Sequence, residues 1–409
     1  MEKILLNNGI NLVSKIVKNT PRIALTCFVK IDKPERVAGI YSILNRLFTQ
    51  GTTSRNAEQI AYEVEKNGLD IYSEMKSDYW KFSLLCLKED FEIAVELLAD
   101  MMQNSTFENF DKEVIKLKGE TIASLDSPAV KARDAFVSAL YENHQYGNTG
   151  SVILETLEEF TAQDVKDAYD NVFIPAEKVF SIVGDIKQDE AKTILDKYFD
   201  KLLSQKTASK LGKNSLEDKK IIKIAKPDAN QAQIYQGWIV PGMQSPDAPA
   251  LSVLNTILGS SGLSSRLFLE LRDKKGLAYT VRSMYTKARE MGDFRVYIAT
   301  EPKNIKVSLD GFKIEIDKLK NELVSEKELT DAKNNIIGKI QFLTETNIQQ
   351  SGSMGVYELE GLGGDYLNKW IDSIMKVTSQ DVMDVTNKYL IEDKYVLTIL
   401  APEKDMELI

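Results

Sequence analysis

The amino-acid sequence predicts an α+β fold with two tandem homologous domains, each a mainly antiparallel β-sheet with helices packed on one face. Three observations predict it: the chain length, a long internal repeat, and a mixture of helical and strand patterns in each half. A chain of 409 residues is longer than one hydrophobic core normally organises, and two domains of about 200 residues each suit it.

The chain repeats itself at three places, in the same order in each half. The matching segments are 41–55 with 251–266, 66–72 with 274–280, and 161–185 with 378–402. Both copies of the last segment begin with Thr-x-x-Asp, which is typical of a helix N-terminal capping box with a short acid. Repeats at such a long period indicate duplicated domains rather than a solenoid.

Each half has the same order of predicted elements. A strand ("RIALTCFVKI" or "QAQIYQGWIV") precedes a helix and then a second helix that ends at Gly68 or Gly276; further strands, longer helices and a last strand follow. Mixed helices and strands with hairpin-type connections favour an α+β sandwich. The polar segment 204–220 predicts an exposed linker between an N-terminal domain, 1–203, and a C-terminal domain, 221–409.

Composition excludes several classes of function. The net charge of -9 disfavours a nucleic-acid partner, because an acidic chain does not attract a phosphate backbone. No apolar stretch is long enough to span a membrane, and the first residues lack a signal-peptide pattern, so we expect a cytoplasmic protein with no membrane partner. Cys27 and Cys86 lie in alternating strand-like runs and are expected to be buried thiols rather than a disulfide or metal pair.

The chain has a single histidine, His144. Histidine is the commonest metal ligand and general base near neutral pH. One histidine and two separated cysteines nearly exclude a zinc site of His and Cys ligands, so no cofactor is expected. His144 lies in the polar segment "YENHQYGN" and is predicted to be a surface or turn residue.

The first helix shows a clear amphipathic pattern. Ser42, Asn45 and Arg46 lie on the polar face of this helix. The apolar positions recur at helical spacing and predict the buried face: Val37, Ile40, Tyr41, Leu44, Leu47 and Phe48. Periodicity alone predicts only a core helix with a solvated polar stripe.

The segment "GIYSILNRLFTQGTTSR" resembles the zinc-binding helix of the pitrilysin/insulinase family of zinc peptidases, of the mitochondrial-processing-peptidase type. That family has the pattern G-x-x-H-x-x-E-H-x-x-x-x-G-T. Gly39, Gly51 and Thr52 fall in register with it without a gap. The resemblance extends over nearly the whole chain, including the duplication.

The residues that carry the family's chemistry are replaced. The two zinc histidines correspond to Ser42 and Arg46, and the general-base glutamate corresponds to Asn45. Zinc needs two histidines at i and i+4 with a carboxylate between them to deprotonate the bound water. A guanidinium stays protonated and repels the cation, so the resemblance implies a member with no catalytic or metal-binding residues of its own.

The family's third zinc ligand is a glutamate, which corresponds to Glu120 in "EVIKLKGETIASLDSP". Glu113 falls at a second acidic position on the same helix face. One carboxylate without its histidines does not hold zinc at useful affinity, so Glu120 is interpreted as a vestige, with Arg46 as its possible pairing partner. The family's H-P-Y-G turn also accounts for His144 without a catalytic role.

The second half keeps a different family segment. "SSRLFLELRDKKGLAYTVRS" is similar to the segment in which an arginine and a tyrosine, seven residues apart, bind the substrate; these are Arg272 and Tyr279, with Arg266 and Gly276 in register. In the family this pair bonds the substrate backbone and helps to stabilise the oxyanion, a role that suits a fixed guanidinium and a phenol.

Two functions of different class follow from the resemblance. The first is a non-catalytic subunit that supplies substrate binding to a homologous partner with an intact H-x-x-E-H motif, in proteolysis of peptides. The second is a stand-alone homodimer that binds peptides or has a structural role, for example by adding an extended peptide to a sheet edge. In addition, the glycine-bearing segment 352–366 is predicted to be a hinge or a helix cap.

Overall fold

The computed structural model describes residues 1–212 and 214–407 and divides the chain into two compact units. The first unit contains Met1–Gly119, Glu155–Leu211 and Gln341–Asn368, and the second contains Glu120–Leu154, Gly212–Ile340 and the residues from Lys369 onward. These units differ from the sequential domains expected from the repeat, because each takes in a segment from the other half of the sequence.

The first unit is built on a six-stranded sheet, with the order β1-β2-β6-β3-β5-β4 in the described residues. Only β2 and β6 pair in parallel; the other neighbours are antiparallel. The strands are β1 (Glu2–Leu5), β2 (Asn11–Ile16), β3 (Arg22–Lys30), β4 (Asp70–Met75), β5 (Tyr79–Leu87) and β6 (Lys178–Gly184).

The second unit has a five-stranded sheet, with the order β7-β11-β8-β10-β9. Its one parallel pair is β7 with β11, at the position that β2 with β6 holds in the first sheet. The same order and polarity in both sheets confirm the predicted duplication and the α+β fold. The strands are β7 (Lys220–Ala225), β8 (Ala232–Pro241), β9 (Ala278–Lys287), β10 (Met291–Thr300) and β11 (Val396–Ala401).

The helices follow the predicted positions with different lengths. The first helix, α1, spans Ile40–Leu47 and is shorter than the apolar pattern suggested. Both predicted capping boxes are present, at Thr161 with Asp164 and at Thr378 with Asp381. The other helices are α2 (Ala57–Lys66), α3 (Phe91–Gln103), α4 (Phe110–Leu125), α5 (Pro128–Leu140), α6 (Gly150–Thr156), α7 (Ala162–Ala168), α8 (Gln188–Tyr198), α9 (Ala248–Asn255), α10 (Ile305–Asn321), α11 (Glu326–Phe342), α12 (Asn347–Leu359), α13 (Tyr366–Lys376) and α14 (Ser379–Tyr389).

Each sheet is packed by a helix that comes from the other half of the sequence. Helix α12 packs on β3 and β6 of the first sheet, where Gly355 faces the ring of Phe28. Helix α5 packs on β8 and β11 of the second sheet, where Phe136 faces Gly237. Glycine at these contacts allows helix and sheet to approach closely.

The prediction of a hinge or helix cap over 352–366 is therefore wrong for most of the segment. It is helical as far as Leu359, because the small residues serve close packing rather than a bend. The turn begins only after the helix, where Gly361 and Gly363 adopt positive φ angles of 74° and 87°. Glycine is the residue that reaches that region without strain.

The predicted linker 204–220 is anchored more firmly than its composition suggested; Lys213 lies outside the described residues. Thr207 donates a hydrogen bond to the Asp32 carboxylate, and Asn214 Nδ2 donates to the Leu140 carbonyl at 3.2 Å. Leu211 and Leu216 are buried. Two apolar side chains in an otherwise polar segment are enough to fix it against the protein.

Both cysteines are buried, as expected: Cys27 is 0% and Cys86 3% exposed. Burial raises the pKa of each thiol to about 12, and only a thiolate reacts as a nucleophile. We expect neither thiol to react with Ellman's reagent at pH 8 in the folded protein and both to react in guanidinium chloride. Rapid reaction of one thiol before unfolding would contradict this placement.

Candidate functional site

Helix α1 carries the degenerate zinc positions and contacts β4, an edge strand of the first sheet. Its apolar face is buried, which leaves Ser42, Asn45 and Arg46 on the partly exposed face. Gly39 precedes the helix with a φ of 101°, and its amide and that of Tyr41 both donate to the Glu35 carboxylate. The helix start is thus fixed, and with it the direction of the three replaced side chains.

Asn45, at the general-base position, is a structural hydrogen-bond acceptor. Its Oδ1 accepts from the Trp80 indole Nε1 at 2.8 Å, and Trp80 is only 3% exposed. A buried indole N–H needs an acceptor, and the amide supplies one without carrying a charge. Asn45 therefore stabilises the first unit.

Arg46, at the second histidine position, lies next to a buried carboxylate. Its Nη1 is 3.6 Å from Glu113 Oε2, and Lys116 Nζ donates to Glu113 Oε1 at 2.6 Å. Glu113 is 3% exposed, so two cations compensate one desolvated charge. The acid beside Arg46 in the first unit is thus Glu113. Glu120 begins the second unit, and its pairing with Arg46 stays a prediction.

A zinc ion does not fit these residues. Two of the three α1 positions offer a hydroxyl and an amide already bonded to Trp80, and the third is a guanidinium that would repel a divalent cation. Over residues 1–212 and 214–407, no group of three or more His, Cys, Asp or Glu side chains is arranged to hold a metal. One cation that lies beside Glu113 is the Arg46 guanidinium.

Arg272 and Tyr279, the predicted substrate-binding pair, lie side by side in the second unit. Arg272 belongs to a π-helical segment, Phe268–Lys274, a geometry often found at functional sites. Its guanidinium Cζ lies 4.6 Å from the centroid of the Tyr279 ring and 4.7 Å from that of Phe268. The guanidinium is therefore clamped between two aromatic rings.

A tight turn sets the position of Tyr279. The Leu277 amide donates to the Leu271 carbonyl at 2.9 Å, Thr300 Oγ1 donates to the Leu277 carbonyl at 2.6 Å, and Gly276 has a φ of 62°. Strand β9 begins immediately afterwards. These bonds connect the π-helical segment to the sheet and fix the spacing of the pair.

Both side chains are available to a ligand. Tyr279 is 78% exposed, and its hydroxyl makes no hydrogen bond to the part of the chain that the structure describes. Arg272 likewise has no ion-pair partner among residues 1–212 and 214–407, although Glu270 and Asp273 lie within two residues of it in the sequence. The aromatic clamp orients the guanidinium without neutralising it, which suits binding of carbonyl or anionic oxygen.

His144 was predicted to be a surface or turn residue. It lies in a turn, but its side chain is buried, with 8% of the residue exposed. It precedes a 3₁₀ turn, and its Nδ1 accepts from the Tyr146 amide at 3.1 Å, with the two rings edge to face. The turn assignment is correct; the exposure differs because the aromatic ring of Tyr146 covers the imidazole.

Sequence reasoning missed two residues of this site. Phe268, four residues before Arg272, completes the aromatic clamp, and its i, i+4 spacing was the available signal. Trp80 binds Asn45 from a strand 35 residues away, and no local pattern could pair them. Both contacts explain why the side chains that they hold are fixed.

Two family models match successive parts of the chain. Residues 31–151 match the model described as "Insulinase (Peptidase family M16)". Residues 159–336 match the model described as "Peptidase M16 inactive domain". The first match contains α1 and its replaced positions, and the second contains Arg272 and Tyr279.

Known proteins are similar over nearly the whole length. An uncharacterized zinc protease of Bacillus subtilis is 25% identical over 407 residues, which is 98% of each chain. The crystal structure of a peptidase M16 inactive domain from Pseudomonas fluorescens superposes with a TM-score of 0.88 at 23% identity over 98% of each chain. A chain of complex III2 from Candida albicans has a TM-score of 0.80 at 12% identity, covering 98% of this chain and 95% of that one.

Proposed function

This chain belongs to the insulinase family of peptidases, M16, whose two models match residues 31–151 and 159–336, and we propose that it is a non-catalytic subunit of a peptidase. It contributes peptide binding and transition-state stabilisation to a zinc-bearing homologous partner. The observation that carries the proposal is a contrast between its two family segments. Asn45 and Arg46 of α1 are engaged internally with Trp80 and Glu113, whereas Arg272 has no ion-pair partner in the described residues and Tyr279 is exposed.

The replaced positions support the absence of peptidase activity in the isolated chain. Asn45 has no basic form near pH 7, and Arg46 offers a cation where a neutral ligand is needed. Bond cleavage would therefore depend on the partner chain. The substrate class that we propose is a peptide. In the described residues, no helix is both long and apolar enough to span a membrane.

The role of Arg272 and Tyr279 follows from their geometry. A guanidinium held between two rings loses little conformational freedom when it binds a carbonyl oxygen, so its charge is preorganised. The Tyr279 phenol is a second donor at the same place. Donors fixed before the reaction stabilise an oxyanion without the cost of reorienting water.

The proposal is tested by mixing. The assay measures cleavage of an internally quenched fluorescent peptide in the presence of added zinc. The three samples are this chain, a homologous M16 chain that carries H-x-x-E-H, and an equimolar mixture of both. We expect cleavage to be strongest in the mixture and absent from this chain alone. Cleavage by this chain alone, abolished by a chelator, would contradict the proposal.

A second function, a homodimer that binds peptides or has a structural role, is favoured by the free sheet edges. Strands β4 and β9 each end their sheet with one edge unpaired in the described residues, and such edges accept an extended peptide. The similarity to a chain of a complex III assembly also fits a structural role. Peptide binding by this chain without any stimulation of a zinc-bearing homologue would favour this alternative.

A further inference from the structure

A row of aromatic and cationic side chains crosses the second sheet on the face that α5 covers in part. Arg282, Tyr297 and Tyr235 lie directly opposite each other on β9, β10 and β8, so their side chains share one face. The two tyrosine rings are stacked with centroids 4.5 Å apart. The Arg282 Cζ lies 5.6 Å from the Tyr297 centroid.

The row continues onto helix α5. The Phe136 ring stacks on Tyr235 with centroids 5.8 Å apart, and the Arg295 Cζ lies 5.9 Å from the Phe136 centroid. Arg133 is one turn before Phe136, and residues at i and i+3 are neighbours on a helix surface. Three arginines therefore surround a stack of three aromatic rings.

Most of the positive charge in this cluster is not neutralised by the protein. Arg133 and Arg282 are exposed and have no ion-pair partner in the described ranges, 1–212 and 214–407. Arg295 lies 3.3 Å from Asp293. In a chain of net charge -9, two arginines without ion-pair partners form a localised positive field, which attracts an anionic ligand.

The hydroxyl of Tyr235 provides an independent observation. Tyr235 is 3% exposed, yet its hydroxyl makes no hydrogen bond to the described residues, whereas the Tyr297 hydroxyl donates to Gln233 Oε1 at 2.7 Å. A hydroxyl that the protein leaves without a hydrogen-bond partner is free to donate to a ligand. Burial raises the pKa of Tyr235, and the charges of Arg133, Arg295 and Arg282 oppose that rise.

We propose that Arg133, Arg282 and Tyr235 form a subsite for a carboxylate of a bound peptide, in addition to the Arg272 and Tyr279 pair. The proposal rests on the peptide-binding function proposed above and adds a substrate preference to it. Guanidinium groups bind carboxylates through charge-assisted hydrogen bonds, and the Tyr235 hydroxyl donates a further bond. The carboxylate comes from an acidic side chain or from the peptide's C-terminus.

Binding of three fluorescein-labelled peptides of one sequence tests this, by anisotropy at 0.15 M salt. The first has an internal glutamate and a C-terminal amide, the second has glutamine and an amide, and the third has glutamine and a free C-terminal carboxylate. We expect the first or the third to bind about tenfold more tightly than the second, the scale of one charge-assisted hydrogen bond. The peptide that gains identifies the source of the carboxylate.

Substitutions assign the effect to the cluster. Arg282→Gln and Arg133→Gln are each expected to abolish most of the tenfold preference, and Tyr235→Phe to reduce it about threefold while the ring stack remains. Arg22→Gln is the matched control, because Arg22 is an exposed arginine without an ion pair in the described first unit. Equal melting temperatures of all four variants and the parent protein separate binding from folding.

The outcomes distinguish this subsite from the general function. Peptides that bind equally well with and without a carboxylate would overturn the subsite and leave the proposed function intact. Absence of binding by every peptide would overturn both. A preference that Arg22→Gln reduces as much as Arg282→Gln, or that inorganic phosphate at 5-fold excess over the peptide abolishes, would also overturn the subsite.

Discussion

Replacing Arg272 by alanine is expected to lower kcat of the mixed peptidase by about a hundredfold, with a small change in KM. Loss of one preorganised donor to an oxyanion typically costs this much. A donor that acts mainly in the transition state lowers kcat and kcat/KM together. The measurement is steady-state cleavage of a quenched peptide by this chain and a zinc-bearing homologue, each at saturating partner concentration.

The matched control lies on the same segment. Lys274 is two residues further along, exposed, and paired with Glu270 at 2.5 Å, so Lys274→Ala removes one cation without touching the clamp. We expect it to leave kcat unchanged. Tyr279→Phe removes only the phenol hydroxyl and is expected to lower kcat by about tenfold, roughly one hydrogen bond. Equal losses for Lys274→Ala and Arg272→Ala would reduce the effect to general electrostatics and contradict a specific role.

The aromatic contact of Phe268 with Arg272 is expected to contribute to kcat separately from the charge of Arg272. Phe268 holds one face of the guanidinium at 4.7 Å, so its role is to position Arg272. In Phe268→Leu, the charge remains but its orientation loosens. We therefore expect Phe268→Leu to lower kcat less than Arg272→Ala does, but more than Lys274→Ala does.

The sequence predicted the architecture well because duplication leaves a long-range signal. Strands β3 and β8 were predicted within about two residues, since buried strands are continuous apolar runs bounded by polar turns. The matching order of the two sheets follows from the repeat. Periodicity within each half, however, carries no information about which sheet a helix will cover.

The exchanged helices show this limit. Helix α12 lies in the second half of the sequence, but its Ser351 hydroxyl donates to the Ser181 carbonyl at 2.8 Å and accepts from the Thr26 hydroxyl at 2.7 Å in the first sheet. Its run of serine and glycine was interpreted as a hinge because small polar residues favour turns. Only the contact with Phe28 shows that they make room for a sheet.

The candidate site was predictable in a different way. Arg272 and Tyr279 carry no periodic signal that separates them from other helix and strand residues, and only the resemblance to the family singled them out. The pairing of Arg46 with Glu113 depends on a contact between α1 and α4 that no local rule supplies. The replacement of zinc ligands was visible in the sequence, whereas the hydrogen bonds that now hold those positions were not.

Replacing Gly355 by alanine is expected to destabilise the first unit by about 3 kcal/mol, the upper part of the usual range for overpacking. A Cβ at this position would lie 2.5 Å from Phe28 Cε2 and 3.1 Å from the Ser181 Cβ. Phe28 is 1% exposed and has no room to move. Urea unfolding followed by circular dichroism measures the change, with the first transition taken if the two units unfold separately.

Gly352 on the same helix gives the opposite expectation, and the comparison isolates packing from helix propensity. The nearest atom to a Cβ at Gly352 is Lys81 Nζ, 4.0 Å away, so alanine there costs no overlap. It gains the helix propensity that glycine lacks, about 1 kcal/mol. Gly352→Ala should therefore raise the urea midpoint while Gly355→Ala lowers it. Two stabilising substitutions would mean that α12 does not pack on β3 and β6, because an α12 free of that sheet would favour alanine at both positions equally.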